Sequence, residues 1–241
     1  MNKQFGIELD VTSISRDEAV RAIQAIGLRA EHDSRTDRGT HWKVLPDDYL
    51  VRNGFEIVSP ILIGENGLNQ VRRVVNALEA IGARVNTACD FHVHFDIGDL
   101  DVHAMRSIVA RYALFETEID AFMPLSRRRD NNADCLSMHG IASSQRLKDA
   151  STIIELTEAQ EGRYFKVNLQ SYSYHGTIEF RQHPGTVSAE KAINWIKFLA
   201  AFIDESARLA AEKPRSNDHL YNGIPANLVT YYRDRAVVFA A

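Results

Sequence analysis

In "CDFHVHFDIG" (89–98), His92, His94 and Asp96 occupy alternate positions, with apolar Val93 and Phe95 between them. Successive side chains of a strand point to opposite faces. This spacing therefore puts two imidazoles and a carboxylate on one face and an apolar pair on the other. Three further stretches repeat the pattern. In "FGIELDV", Glu8 and Asp10 share a face opposite Ile7, Leu9 and Val11. In "GFEIVS", Glu56 is the only charge, and in "TIEFRQH", Glu179, Arg181 and His183 stand opposite Ile178 and Phe180.

Taken singly, each stretch is what any half-solvated antiparallel strand would show. Taken together they ask for more. If the strands are sheet neighbours, one face gathers Glu8, Asp10, Glu56, Asp96 and Glu179. Carboxylates that close repel one another, and some would be driven to take up protons. Divalent cations remove the conflict by becoming the largest local charges. Oxygen-rich sites with an occasional imidazole suit Mg²⁺ or Mn²⁺ better than Zn²⁺.

The elements that must position these residues are legible in outline. "QFGIELDV" (4–11) alternates and predicts a strand, and Ser15 with Glu18 forms a capping box for a helix ending at Gly27. "HWKVLPDDYL" predicts a short strand broken by Pro46, and "GFEIVSP" one closed by Pro60. Helical spacing runs over 67–83, over about 101–123 ahead of Pro124, and over 188–212. "RYFKVNLQSY" (163–172) and "GTIEFRQHPG" (176–185) read as a hairpin pair of strands, and 125–162 as an irregular polar stretch containing "SRRRDNN". A short helix is expected after Pro225. The pattern implies a single α+β domain over 1–241, with a core at about 4–210 and a C-terminal extension over 213–241. Its sheet would be mostly antiparallel, with the three long helices on one face and the other left for chemistry.

Composition narrows the function. The chain has 241 residues, 45% of them hydrophobic, enough for a proper core. A formal charge of −4 argues against bulk nucleic-acid binding. Two cysteines, Cys89 and Cys135, argue against a disulfide scaffold and favour a reducing cytoplasm. No apolar run approaches the roughly twenty residues of a membrane span. A P-loop lysine motif and a Rossmann glycine fingerprint are both missing, so any phosphate must be bound another way.

"FGIELD", "WKVLPD", "GFEIVSP", "ARVNTACDFHVHFD", "RYFKVNLQSY" and "HGTIEFRQHPGT", in that order, resemble the amidoligase family, over about residues 4–210. That family belongs to the carboxylate–amine ligases of the glutamine synthetase and glutamate–cysteine ligase fold. The resemblance implies a curled, mostly antiparallel sheet with helices on its outer face, holding ATP and divalent metals. It implies metal ligands at Glu8, Asp10, Glu56, His94 and Glu179, with Glu179 and Arg181 at the reaction centre and Arg181 on phosphate. Many relatives carry a second Glu where this chain has the shorter Asp10, a change expected to reshape one metal position. His92, Asp96, Arg127, Arg128, Lys166 and His183 are further candidates for contact with ATP, phosphate or substrate. Each has a duller alternative. The arginines of "SRRR" read equally well as a solvated cluster, Lys166 as a surface lysine on an edge strand, and His183 as a partner of the "HPG" backbone. Asp47 is either turn chemistry or a residue facing the site.

The implied reaction joins a carboxylate, on an amino acid or peptide, to an amine with consumption of ATP. Its partners are small molecules or peptides, without nucleic acid or membrane. Larger members of the fold often form homo-oligomers, and nothing in this sequence marks an interface. Two rivals stand beside it. A zinc hydrolase built on the His-x-His pair would need further ligands, and His103, His139, His175, His183 and His219 follow at no familiar spacing. A non-catalytic nucleotide- or metabolite-binding descendant would not need all four charged strands.

Overall fold

The alternation in "QFGIELDV" folds as β1 (Gln4–Val11), the centre of an open sheet. We describe the protein from a computed structural model, for residues 2–33, 39–46, 54–211 and 218–240. The chain is α+β, with mixed, mostly antiparallel strand pairing and no closure of the sheet. It divides into two compact units that interleave in sequence, Met1–Phe95 with His183–Ile196, and Asp96–Gln182 with Lys197–Ala241.

In the first unit, β1 is followed by α1 (Arg16–Ala25), β2 (Ala30–His32), β3 (Trp42–Pro46), β4 (Phe55–Val58), β5 (Leu62–Ile63), α2 (Gly64–Ala80) and β6 (Phe91–Asp96). The capping box forms as expected: the Glu18 amide donates to the Ser15 hydroxyl and the Ser15 amide to the Glu18 carboxylate. Strand order is β2-β3-β4-β1-β6, with β5 also on β1, and only β2 and β3 pair in parallel. Leu9 faces Ile57 and Phe91 across this sheet, and Ile7 faces Val93. All five are fully buried. The helix α2 lies over this apolar face so closely that a Cβ on Gly67 would meet Leu62 at 2.8 Å and Phe5 at 3.0 Å. The returning segment from His183 pairs with the start of β6: the Phe91 amide donates to His183 and the Gly185 amide to Cys89. Only glycine fits at 185, because a Cβ there would lie 2.5 Å from that of Cys89.

The second unit holds α3 (Val102–Leu114), α4 (Glu116–Ala121), a 3₁₀ turn (Leu125–Arg127), α5 (His139–Ser143), α6 (Gln145–Asp149), α7 (Ile153–Glu158), β7 (Val167–Asn168), α8 (Ser171–His175) and β8 (Thr177–Phe180). The long α9 (Ala189–Ala211) starts in the first unit and ends in the second, and α10 (Ala226–Ala240) completes the described chain.

Four expectations are corrected here. The helix read over 101–123 breaks at Phe115, which lets Glu116 and Asp120, four residues apart on α4, turn inward together. The stretch 125–162, read as irregular, contains the three short helices α5–α7. The strand read over 163–172 shrinks to Val167–Asn168, paired antiparallel with β8 and joined to it through α8 rather than a tight turn. The buried Gln160 side chain explains the short strand: it donates to the Val167 carbonyl and accepts from the Leu169 amide, closing the edge where another strand would pair. The expected helix after Pro225 is longer than anticipated, at 15 residues. Among the described residues, no helix is long and apolar enough to cross a membrane.

Candidate functional site

Opposite the apolar face of the first unit, register brings the sequence-predicted residues together. Directly opposed residues of an antiparallel pair share a face. Asp10 stands opposite Glu56, Glu8 opposite His92, and Gly6 opposite His94, so Asp10, Glu56, Glu8 and His92 lie in adjacent rows and His94 follows one row on. The Glu8 carboxylate then sits between two imidazoles, 3.1 Å from His92 Nδ1 and 3.3 Å from His94 Nε2. Burial works against its charge, but His94 and His92 together outweigh burial and hold its carboxyl well below the usual carboxylate range.

Asp90 extends the same alternation by one step and escaped the sequence reading. Its carboxylate lies 3.4 Å from His92 Nε2, and its amide donates to the Asp10 carboxylate at 2.8 Å. The available signal was the first acidic residue of "DFHVHFD", two places before His92. On the same face, Lys43 lies two strands from Glu8, opposite Val58, and its buried ammonium meets Asp33 at 3.1 Å. Asp47 lies outside the described residues.

In the second unit, β7 and β8 set Asn168 opposite Glu179. The Asn168 amide donates to Glu179 Oε2 at 2.6 Å and Arg181 Nη1 to Oε1 at 2.7 Å. Arg181 also donates through Nε to the Asp134 carbonyl at 3.1 Å. Glu179 and Arg181 are both buried, which suits an ion pair whose donors and acceptors are matched.

Behind this strand runs a buried polar network. The Lys166 ammonium lies 2.7 Å from Glu116 and 2.8 Å from Asp120. Gln182 donates to Asp120 and to the Arg127 carbonyl, and accepts from the Tyr112 hydroxyl at 2.6 Å. Burial, reinforced by Glu116 and Asp120, pushes the Tyr112 phenol well above its ordinary range, so it remains a donor. Lys166 is therefore buried rather than the surface lysine of the duller reading. Arg127 is buried too.

The remaining candidates have backbone partners. Asp96 accepts from the Gly98 amide at 2.9 Å. Arg128 donates to the Met123 carbonyl at 2.8 Å and the Phe239 carbonyl at 3.2 Å. His183 pairs through Nδ1 with the Pro184 carbonyl at 2.7 Å, the turn-bonding alternative given above, with Phe91 and Trp195 against its ring.

The family described as "Putative amidoligase enzyme" matches residues 1–203, most of the chain. No curated protein matches it.

Proposed function

The chain belongs to the amidoligase family, and on that premise we propose that it forms an amide or isopeptide bond at the expense of ATP. A carboxylate does not condense with an amine at neutral pH, because its leaving group would be oxide or hydroxide. In the proposed reaction the substrate carboxylate takes the γ-phosphoryl group of ATP, ADP departs, and an acyl phosphate results. The amine then attacks the acyl carbon, phosphate leaves with the bonding pair, and the nitrogen gives up a proton. Phosphoryl transfer depends on positioning and charge neutralisation more than on covalent help from the protein.

The observation that carries this reading is Glu8, an anion set between the imidazoles of His92 and His94 on a sheet face that also bears Asp10 and Glu56. Carboxylate oxygens with one or two imidazoles fit a hard divalent cation, Mg²⁺ or Mn²⁺. Glu8 and His94, which approach each other to 3.3 Å, we assign as ligands of a divalent ion, and we assign Asp10, Glu56 and Glu179 as metal ligands as well. A bound divalent cation would neutralise triphosphate charge as a Lewis acid. Arg181, already oriented by Glu179 and the Asp134 carbonyl, would present its guanidinium to the transferring group. The substrate carboxylate we assign to an amino acid or peptide.

The test is ATP consumption by the full chain across panels of amino acids, peptides and polyamines, with Mg²⁺ or Zn²⁺. ATP turnover that needs both a carboxylate and an amine, with Mg²⁺ present, supports the ligase. Hydrolysis with Zn²⁺ alone and no ATP would replace it with the hydrolase. Nucleotide binding without turnover would replace it with the binding descendant.

A further inference from the structure

We infer that Asn168 is a positioning residue for the Glu179 carboxylate and, resting on the reading above, for the divalent cation assigned to it. The inference starts from the shortness of β7. The strand contains two residues, and the second, Asn168, is opposite Glu179 and almost wholly buried. A buried amide is costly unless its groups are bonded, and here both ends are used. The Gln170 amide donates to Asn168 Oδ1 at 2.9 Å, forming the turn that leaves the strand. With its oxygen taken by that turn, the side chain must aim its NH₂ the other way, at Glu179 Oε2, 2.6 Å distant.

The terminal torsion of a glutamate is broad, so one hydrogen bond leaves the carboxylate head free to swing. Arg181 supplies one, to Oε1. Asn168 supplies a second, to the other oxygen, and two donors on two oxygens fix the plane of the head. A carboxylate accepts at about four lone-pair sites, so these two donors are compatible with a cation. Partners of this kind behind metal-binding carboxylates typically contribute 10–100-fold in metal affinity. Aspartate at 168 would set a like charge against Glu179, and serine would keep an acceptor for the turn while falling short of Glu179.

The experiment measures Mn²⁺ affinity by electron paramagnetic resonance on the full chain, together with thermal melting. It compares the natural sequence with Glu179→Gln, Asn168→Ala and Asn168→Ser. Glu179→Gln should lose Mn²⁺ binding, and Asn168→Ser should bind about tenfold or more weakly at an unchanged melting temperature. Asn168→Ala should weaken binding to the same degree. Natural affinity in Asn168→Ser, with binding lost in Glu179→Gln, overturns the role of Asn168 alone. No Mn²⁺ binding by the natural sequence, or no change in Glu179→Gln, overturns the metal reading itself. Failure of both Asn168 variants to fold also overturns the inference, because it makes the residue structural.

Discussion

The Lys166 ammonium lies 2.7 Å from Oε1 of Glu116, and both side chains are buried. Asp120 adds a second carboxylate at 2.8 Å, while the Lys166 carbonyl accepts from the Arg181 amide at 2.9 Å. One residue therefore ties α4 to Arg181, the residue that follows the strand carrying Glu179. Glu116 Oε2 further accepts from the Met138 amide, and Asp120 Oδ2 from the Arg129 amide, each at a hydrogen-bonding distance.

Lys166→Met should be severely destabilising. It leaves two carboxylates facing each other without their cation, and breaking a buried pair costs about 3–5 kcal/mol. Urea unfolding at pH 7 measures it. A loss well under 1 kcal/mol, small beside that range, would mean that the carboxylates relax to other partners and that Lys166 does not organise the region.

A second anchor predicts a pH dependence. Arg111 is buried and grips Asp218 through Nε at 2.9 Å and Nη2 at 3.1 Å, while Nη1 donates to Ser206. Burial opposes the Asp218 charge, but Arg111 overcomes it and lowers the carboxyl below its ordinary value. A depressed folded-state pKa contributes stability that is present above the unfolded value, about 3.9, and is lost as pH falls through the folded one. Asp218→Asn should therefore cost about 1.5–3 kcal/mol at neutral pH, the range for hydrogen bonds to charged groups. The gap to the natural sequence should shrink steadily below about pH 4. Denaturant melts at several pH values check this, and a gap independent of pH would sink it. Glu205, also lowered by Arg208, remains in both proteins and cancels in the comparison.

Arg181→Lys should sharply reduce ligation while preserving the fold. The guanidinium donates from two nitrogens to two differently placed acceptors, Glu179 and the Asp134 carbonyl, and a single ammonium cannot reproduce that fork. Losing one charge-assisted bond in the proposed reaction centre corresponds to about tenfold or more in rate. Steady-state ATP turnover at matched melting temperature measures it. Undiminished turnover would leave Arg181 as a structural ion pair.

Legibility divided along a physical line. The face carrying Glu8, Asp10, Glu56, His92 and His94 was readable because strand alternation is local, and each residue announces its face through its immediate neighbours. The network around Lys166 was not. Glu116 and Asp120 in "ETEIDA" look like charges on a solvated helix, and only a lysine 46 residues beyond Asp120 explains their burial. Asn168 was hidden for the same reason, since its meaning depends on the register with β8 and on the turn at Gln170. Gln160 defeated the strand reading of 163–172 by replacing backbone pairing with a side-chain amide, which no periodicity reveals.

Glu8→Gln isolates the charge on the first unit's polar face. The substitution keeps shape and removes the anion that the imidazoles of His94 and His92 hold ionised. Burying an amide in place of that carboxylate is tolerable for the fold, because hydrogen-bonding groups remain on both sides. A cation that depends on the carboxylate has no such substitute. We therefore expect a melting temperature near that of the natural protein and loss of ATP-dependent product formation by at least about tenfold, as for a metal-site ligand or its close support. EDTA should inactivate the natural protein to the same extent, with recovery on adding Mg²⁺ or Mn²⁺ and none with Zn²⁺. Turnover that survives both Glu8→Gln and EDTA would show that Glu8 and its two histidines form a structural triad instead.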